Sequence, residues 1–141
     1  MVNFSDYKAY QGRGRVLVVD DDPWIGELLS TRLTLLGYQV YVVRDGDAAL
    51  HRIPEFEPDA VVLDVNMPNV DGFTTLERIG RERLSKLPVL MLTARHGGED
   101  VRKAIALGAR DFLAKPFDET QLILRVARLL RKPRGRQISL H

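Results

Sequence analysis

Arg15-Val16-Leu17-Val18-Val19-Asp20-Asp21-Asp22-Pro23 is the stretch that decides how this chain folds. Its apolar run has no polar side to give to water, as a strand buried on both faces of a parallel sheet demands. The run stops at Asp20 and Asp21, and Asp22 before Pro23 reads as a helix N-cap with proline at the first helical position. Three other apolar runs end the same way: Ala60-Val61-Val62-Leu63 on Asp64, Val89-Leu90-Met91-Leu92 on Thr93, and Phe112-Leu113-Ala114 on Lys115. As neighbouring parallel strands they would set their carboxyl ends along one sheet edge, where open α/β folds place ligands. Three carboxylates, a hydroxyl and an ammonium would converge there.

Outward from these runs, β-branched segments alternate with stretches of helical period. Strands are predicted near 15–20, 39–44, 60–64, 88–93 and 111–114, and helices near 23–36, 46–53, 73–83, 99–107 and 118–131. Ile25, Leu28, Leu29, Leu33 and Leu36 form one stripe ended by Gly37, and Asp118 with Gln121 resembles a capping box. Five alternations imply right-handed crossovers covering both faces of a parallel sheet. The fold class is therefore α/β, a flavodoxin-like, doubly wound, five-stranded sheet of order 2-1-3-4-5 with five helices. Its switch point lies between strands 1 and 3, which end at Asp20, Asp21 and Asp64.

With 141 residues, 45% of them hydrophobic and 28% charged, the chain suits one domain with a single core. It divides into a tether over 1–14, a domain over 15–132 and a basic tail or linker start over 133–141. There is no cysteine, which excludes disulfides and thiolate metal sites. No apolar stretch approaches the roughly 18 residues of a spanning helix, and the amino terminus lacks a signal-peptide core. A cytoplasmic protein without membrane insertion is expected. The net charge of +2 hides a basic end, with six arginines and lysines between Arg125 and His141 and no acid among them. That end reads as a solvated helix terminus and linker, so direct nucleic-acid binding by this chain is not expected.

Carboxylates gathered without a counter-charge repel one another. An all-oxygen set with no histidine or cysteine suits a hard cation, Mg2+ above all, with Mn2+ or Ca2+ as substitutes. A carboxylate beside Mg2+ and a lysine can attack a phosphoryl group, and such transfer asks for positioning and charge neutralisation. Asp64, alone at the end of its strand, reads as the nucleophile, with Asp20 and Asp21 holding the metal, and with Thr93 and Lys115 on the phosphoryl oxygens.

These motifs, Val18-Val-Asp-Asp-Asp-Pro23, Leu63-Asp-Val-Asn-Met-Pro-Asn-Val-Asp-Gly72, Met91-Leu-Thr-Ala94 and Asp111-Phe-Leu-Ala-Lys-Pro-Phe117, resemble those of two-component response-regulator receiver domains over roughly residues 14 to 132. The resemblance implies a phosphorylation-dependent switch of a phosphorelay. Asp64 would be the phosphoacceptor, Asp21 a direct metal ligand, Asp20 a holder acting through coordinated water, and the main-chain carbonyl of Asn66 the remaining protein ligand. It also implies a cis Lys115-Pro116 bond, which would turn the chain and set the direction of the lysine.

The phosphoryl donor would be a phosphohistidine on a sensor histidine kinase or a histidine phosphotransfer protein, since none of His51, His96 and His141 lies in a suitable helical context. Thr93 and Phe112 would then switch the face built by the segments near 99–107, 111–114 and 118–131. That face would meet a downstream effector protein or fused output domain, or a second copy of the chain. Phe112 lacks a phenolic hydroxyl, Ala94 leaves the site open, and Gly97-Gly98 loosens the loop ahead of the helix.

Other residues read as structural. Asp71-Gly72 is a turn, Trp24 is expected to be partly buried, and Glu99 with Lys103 is an i,i+4 surface pair. Two rival functions are a haloacid-dehalogenase-like phosphohydrolase and an inactive, receiver-like docking module. The first needs an acid two residues after its nucleophile, where Asn66 stands here, and a flavodoxin-like phosphate cradle would be repelled by Asp20-Asp-Asp22. The chain is read as a phosphoacceptor that assists its own transfer and slow dephosphorylation, and not as a turnover enzyme.

Overall fold

The computed structural model describes residues 13–94 and 98–131. Their order is β1 (Arg15–Val19), α1 (Pro23–Leu35), β2 (Gln39–Val43), α2 (Gly46–Phe56), β3 (Ala60–Asp64), α3 (Gly72–Ile79), α4 (Arg81–Leu84), β4 (Val89–Thr93), α5 (Gly98–Leu107), β5 (Asp111–Ala114) and α6 (Glu119–Leu130). The strands form one sheet of order β2-β1-β3-β4-β5, and every pairing in it is parallel. The doubly wound order expected from the alternation is the one observed.

Strand alternation splits the core into two layers. Leu17, Val19, Val61, Leu63, Val89 and Met91 face α2, α3 and α5, packing against Ile53, Phe56, Phe73, Leu76 and Ala104. Val16, Val18, Val62, Leu90, Leu92 and Leu113 face α1 and α6, against Ile25, Leu29, Leu33, Leu122 and Val126. All residues of β3 and β4 are buried. β2 lies at the sheet edge and leaves Tyr41 and Val42 partly in water.

Four features depart from the expectations of the sequence. The helix predicted near 73–83 is two helices, because Gly80 takes φ +90°, a left-handed conformation that glycine adopts without steric cost. Its N–H still closes α3 by donating to the Leu76 carbonyl at 3.1 Å. The helix predicted to stop near residue 53 runs through Pro54 to Phe56. Phe56 is buried there, and Glu57 ends the helix at φ +51° with its N–H on the Ile53 carbonyl.

Leu36 belongs to the α1 C-cap and is exposed, so the buried stripe consists of Ile25, Leu29 and Leu33. Asp118 caps α6 by accepting from the Thr120 N–H at 3.0 Å, one residue earlier than a capping box would have it. Gly97 and His96 lie outside the described residues, as do the tether through residue 12 and the tail from residue 132. Among the described residues no helix is long and apolar enough to cross a membrane.

Candidate functional site

Because β1 and β3 are neighbours, their ends place Asp20, Asp21 and Asp64 side by side. One carboxylate oxygen from each lies within 4.8 Å of the other two. Asp20 and Asp64 are 1% and 3% exposed, whereas Asp21 is open to solvent. β5 ends two strands away, and the chain runs on to Lys115, whose N–H donates to the Thr93 carbonyl at 2.6 Å. The Lys115–Pro116 peptide is cis. Lys115 Nζ lies 3.3 Å from Asp64 Oδ1 and 3.6 Å from Asp20 Oδ2, so one ammonium faces two buried carboxylates.

The electrostatics of this corner are unbalanced. Burial pushes the Asp20 carboxyl up to about 6, opposed by the Asp22 N–H and Lys115 and reinforced by Asp64 and Asp21. Burial also raises Asp64, against the pull of Lys115 and of the Asn66 main-chain N–H. Asp20 Oδ1 accepts from the Asp22 N–H at 2.9 Å, yet Asp20 Oδ2 is buried with no hydrogen-bond partner. A buried acceptor left unpaired is costly. Oxygen donors in this number, one of them without a hydrogen bond, fit a hard divalent cation, which would restore both the charge and the missing contact.

Thr93 ends β4, next to β3, and is buried. It lies two residues beyond Met91 and so shares that side of the strand, the side where Phe112 packs opposite Met91. Thr93 and Phe112 therefore occupy one face of the sheet edge, with Phe112 half-buried. Asn66 is exposed in the loop after β3. Ala94 is exposed at the rim.

Trp24 corrects an expectation: it is 64% exposed at the start of α1, because its turn places it on the outward side while Ile25 takes the buried position. Lys103 lies 4.6 Å above the Phe73 ring centroid, a cation–π contact where only a pair with Glu99 was expected.

The residue that sequence reasoning undervalued is Gly72. Asp71 caps α3 by accepting from the Thr74 N–H at 2.8 Å, and the Gly72 N–H donates to the Val65 carbonyl at 2.8 Å. A Cβ on Gly72 would sit 2.4 Å from the Asp64 carbonyl oxygen and 2.8 Å from Val65 Cα. Glycine lets α3 press directly on the backbone that carries Asp64. A glycine after an aspartate reads as a turn, and nothing local signals this approach.

Fold and site together define a class: a doubly wound α/β domain with an acidic cation site at its switch point. The family model for the response regulator receiver domain matches residues 16–127, and the chain belongs to that family. It is 42% identical over 119 residues to the DNA-binding dual master transcriptional regulator RpaA of Synechocystis sp., covering 84% of this chain and 49% of that protein. It is also 42% identical over 123 residues to the transcriptional activator protein IrlR of Burkholderia pseudomallei, covering 87% of this chain and 53% of that one. The chain spans about half the length of these curated relatives. Among solved structures, chemotaxis protein CheY4 of Vibrio cholerae is similar at a TM-score of 0.76 and 33% identity, covering 82% of this chain and 98% of that one. The chain is thus a receiver domain of the two-component response regulators.

Proposed function

We propose that Asp64 accepts a phosphoryl group from a phosphohistidine, with Mg2+ as the resident ion. An Asp64 carboxylate oxygen forms a bond to phosphorus, the phosphorus–nitrogen bond to the donor imidazole breaks, and the nitrogen leaves with the electron pair. Asp20, Asp21, Asp64 and the Asn66 main-chain carbonyl would hold the ion, which when bound neutralises charge on the phosphoryl oxygens. Lys115 supplies a second positive charge at the same oxygens, and its contacts to Asp64 and Asp20 hold it at the site beforehand. The Thr93 hydroxyl takes another oxygen.

One observation carries this reading: two buried carboxylates beside an exposed third, with a buried oxygen that accepts no hydrogen bond and faces a single ammonium.

Phosphorylation brings about one further negative charge and oxygens in need of donors. Thr93 moves toward them, Phe112 follows on the same face, and α5, β5 and α6 change shape. The signal then passes to an effector protein or fused output domain, in keeping with relatives named as transcriptional regulators. The donor is a sensor histidine kinase or a histidine phosphotransfer protein, and the setting is the cytoplasm. The chain hastens its own slow dephosphorylation without being a turnover enzyme. A phosphohydrolase reading is disfavoured because Asn66 offers no acid for the leaving group.

The test is intact-mass spectrometry after incubation with phosphoramidate and Mg2+. A single phosphoryl adduct that disappears in Asp64→Asn is expected, and an adduct of unchanged yield in that variant would overturn the assignment.

A further inference from the structure

We propose that Asp22 is a positioning residue of the acid cluster: by holding one oxygen of Asp20 it aims the other at the cation. This rests on the reading of the cluster as a divalent-cation site.

Asp22 follows the acid pair and would pass for a helix cap alone, but three of its groups are engaged at once. Its main-chain N–H donates to Asp20 Oδ1 at 2.9 Å. Its side-chain Oδ1 accepts from the Trp24 N–H at 2.9 Å. Its carbonyl accepts from the Gly26 N–H at 3.3 Å. Pro23 has no N–H to compete for the cap, and its ring fixes φ at the first helical position. These bonds hold the turn from Asp20 into α1, and in it the Asp22 N–H points back at Asp20.

The consequence is that the two oxygens of Asp20 differ. Oδ1 is committed to the Asp22 N–H, whereas Oδ2 is buried, has no hydrogen-bond partner and faces Lys115 at 3.6 Å. A carboxylate free to rotate would have to be ordered by the cation it binds, at a cost in affinity. Asp22 orders it in advance. Asp22 itself is exposed and its Oδ1 is committed to α1, so it acts through Asp20 and not as a ligand. Partners behind a metal ligand commonly set affinity in this way.

Charge and geometry can be separated at this position. Asp22→Asn keeps a capping acceptor and removes the charge, while Asp22→Ala removes both. Calorimetric titration of the full chain with MgCl2 at about 0.15 M and about 0.5 M salt supplies the readout, because added salt screens an exposed charge and leaves a positional effect in place. Asp22→Ala is expected to weaken Mg2+ binding about 5- to 10-fold at both salt concentrations. Asp22→Asn should stay within about 2-fold of wild type and converge on it at high salt.

Asp45→Ala is the control, since Asp45 caps another helix, α2, by accepting from the Ala48 N–H at 2.7 Å. It should lower the melting temperature about as much as Asp22→Ala and leave Mg2+ affinity unchanged. Equal affinities for the alanine and asparagine variants of Asp22, or an equal loss in Asp45→Ala, would overturn the inference. Absence of saturable Mg2+ binding by the wild-type chain would instead overturn the cation-site reading beneath it.

Discussion

The two ends of β1 treat charge in opposite ways. At the amino end, Arg15 donates its main-chain N–H to Asp59 at 2.8 Å, its Nη1 to the Phe56 carbonyl at 2.8 Å and its Nε to Gln39 at 3.1 Å, with the guanidinium above the Phe56 ring. At the carboxyl end, Asp20 keeps a buried oxygen that accepts no hydrogen bond, and two buried carboxylates share one ammonium. One edge of the sheet is satisfied and holds the fold together. The other is left short of positive charge, which a divalent cation can supply. Four residues of strand, from Val16 to Val19, separate a satisfied edge from an acid-rich one.

The sharpest way to break the contrast is chemical. Asp64→Asn removes the group to which phosphorus would bond, so the adduct formed with phosphoramidate and Mg2+ should fall by at least about 100-fold by intact mass. A stability measurement comes next. Gly72→Ala forces a Cβ onto the Asp64 carbonyl and should destabilise the chain by about 3 kcal/mol in urea unfolding. A cost near zero would mean that α3 does not bear on the reactive strand.

Asp20→Asn should act in the opposite direction. The Asp20 carboxyl is raised in the folded chain from 3.8 to about 6, so between those values the folded state binds more protons than the unfolded state. Stability is therefore lost as pH rises through that window and stays lost above it. With EDTA present, the asparagine variant should exceed wild type by about 2 kcal/mol at pH 7, with the gain shrinking toward pH 4. Wild type should in turn gain about 1.4 kcal/mol from Mg2+ at ten times its dissociation constant, and the variant should gain much less. A variant less stable than wild type at pH 7 would show that the reactive edge carries no electrostatic burden.

The smallest effect belongs to the satisfied edge. Arg15→Met should cost about 1 kcal/mol through lost hydrogen bonds and leave Mg2+ affinity unchanged. An altered affinity would erase the distinction between the two ends.

How much of this was legible depended on whether the signal was local. Runs of Val and Leu ending in Asp20, Asp64, Thr93 and Lys115 announce strands and their ends, because hydrophobic period and capping act over a few residues. The sheet order was the natural doubly wound choice for an alternation this short, and with it came the meeting of Asp20, Asp21, Asp64 and Lys115. The helix break at Gly80, the passage of α2 through Pro54 and the exposure of Trp24 did not follow. The second depends on what packs against the segment, as buried Phe56 draws α2 past its proline.

Identity and neighbourhood along the chain thus settled the architecture and the inventory of candidate site groups, since both arise from short-range sterics and burial. The division of labour within that inventory came from contacts between distant segments: Gly72 against the Asp64 backbone, and the 3.3 Å and 3.6 Å separations that set Lys115 against Asp64 and Asp20 at once. The Asp20 oxygen without a hydrogen bond belongs with them, because that lack is set by everything packed around it. Such contacts are made where the folded backbone brings strand ends within a few ångströms, and no spacing in the linear chain encodes distances of that kind.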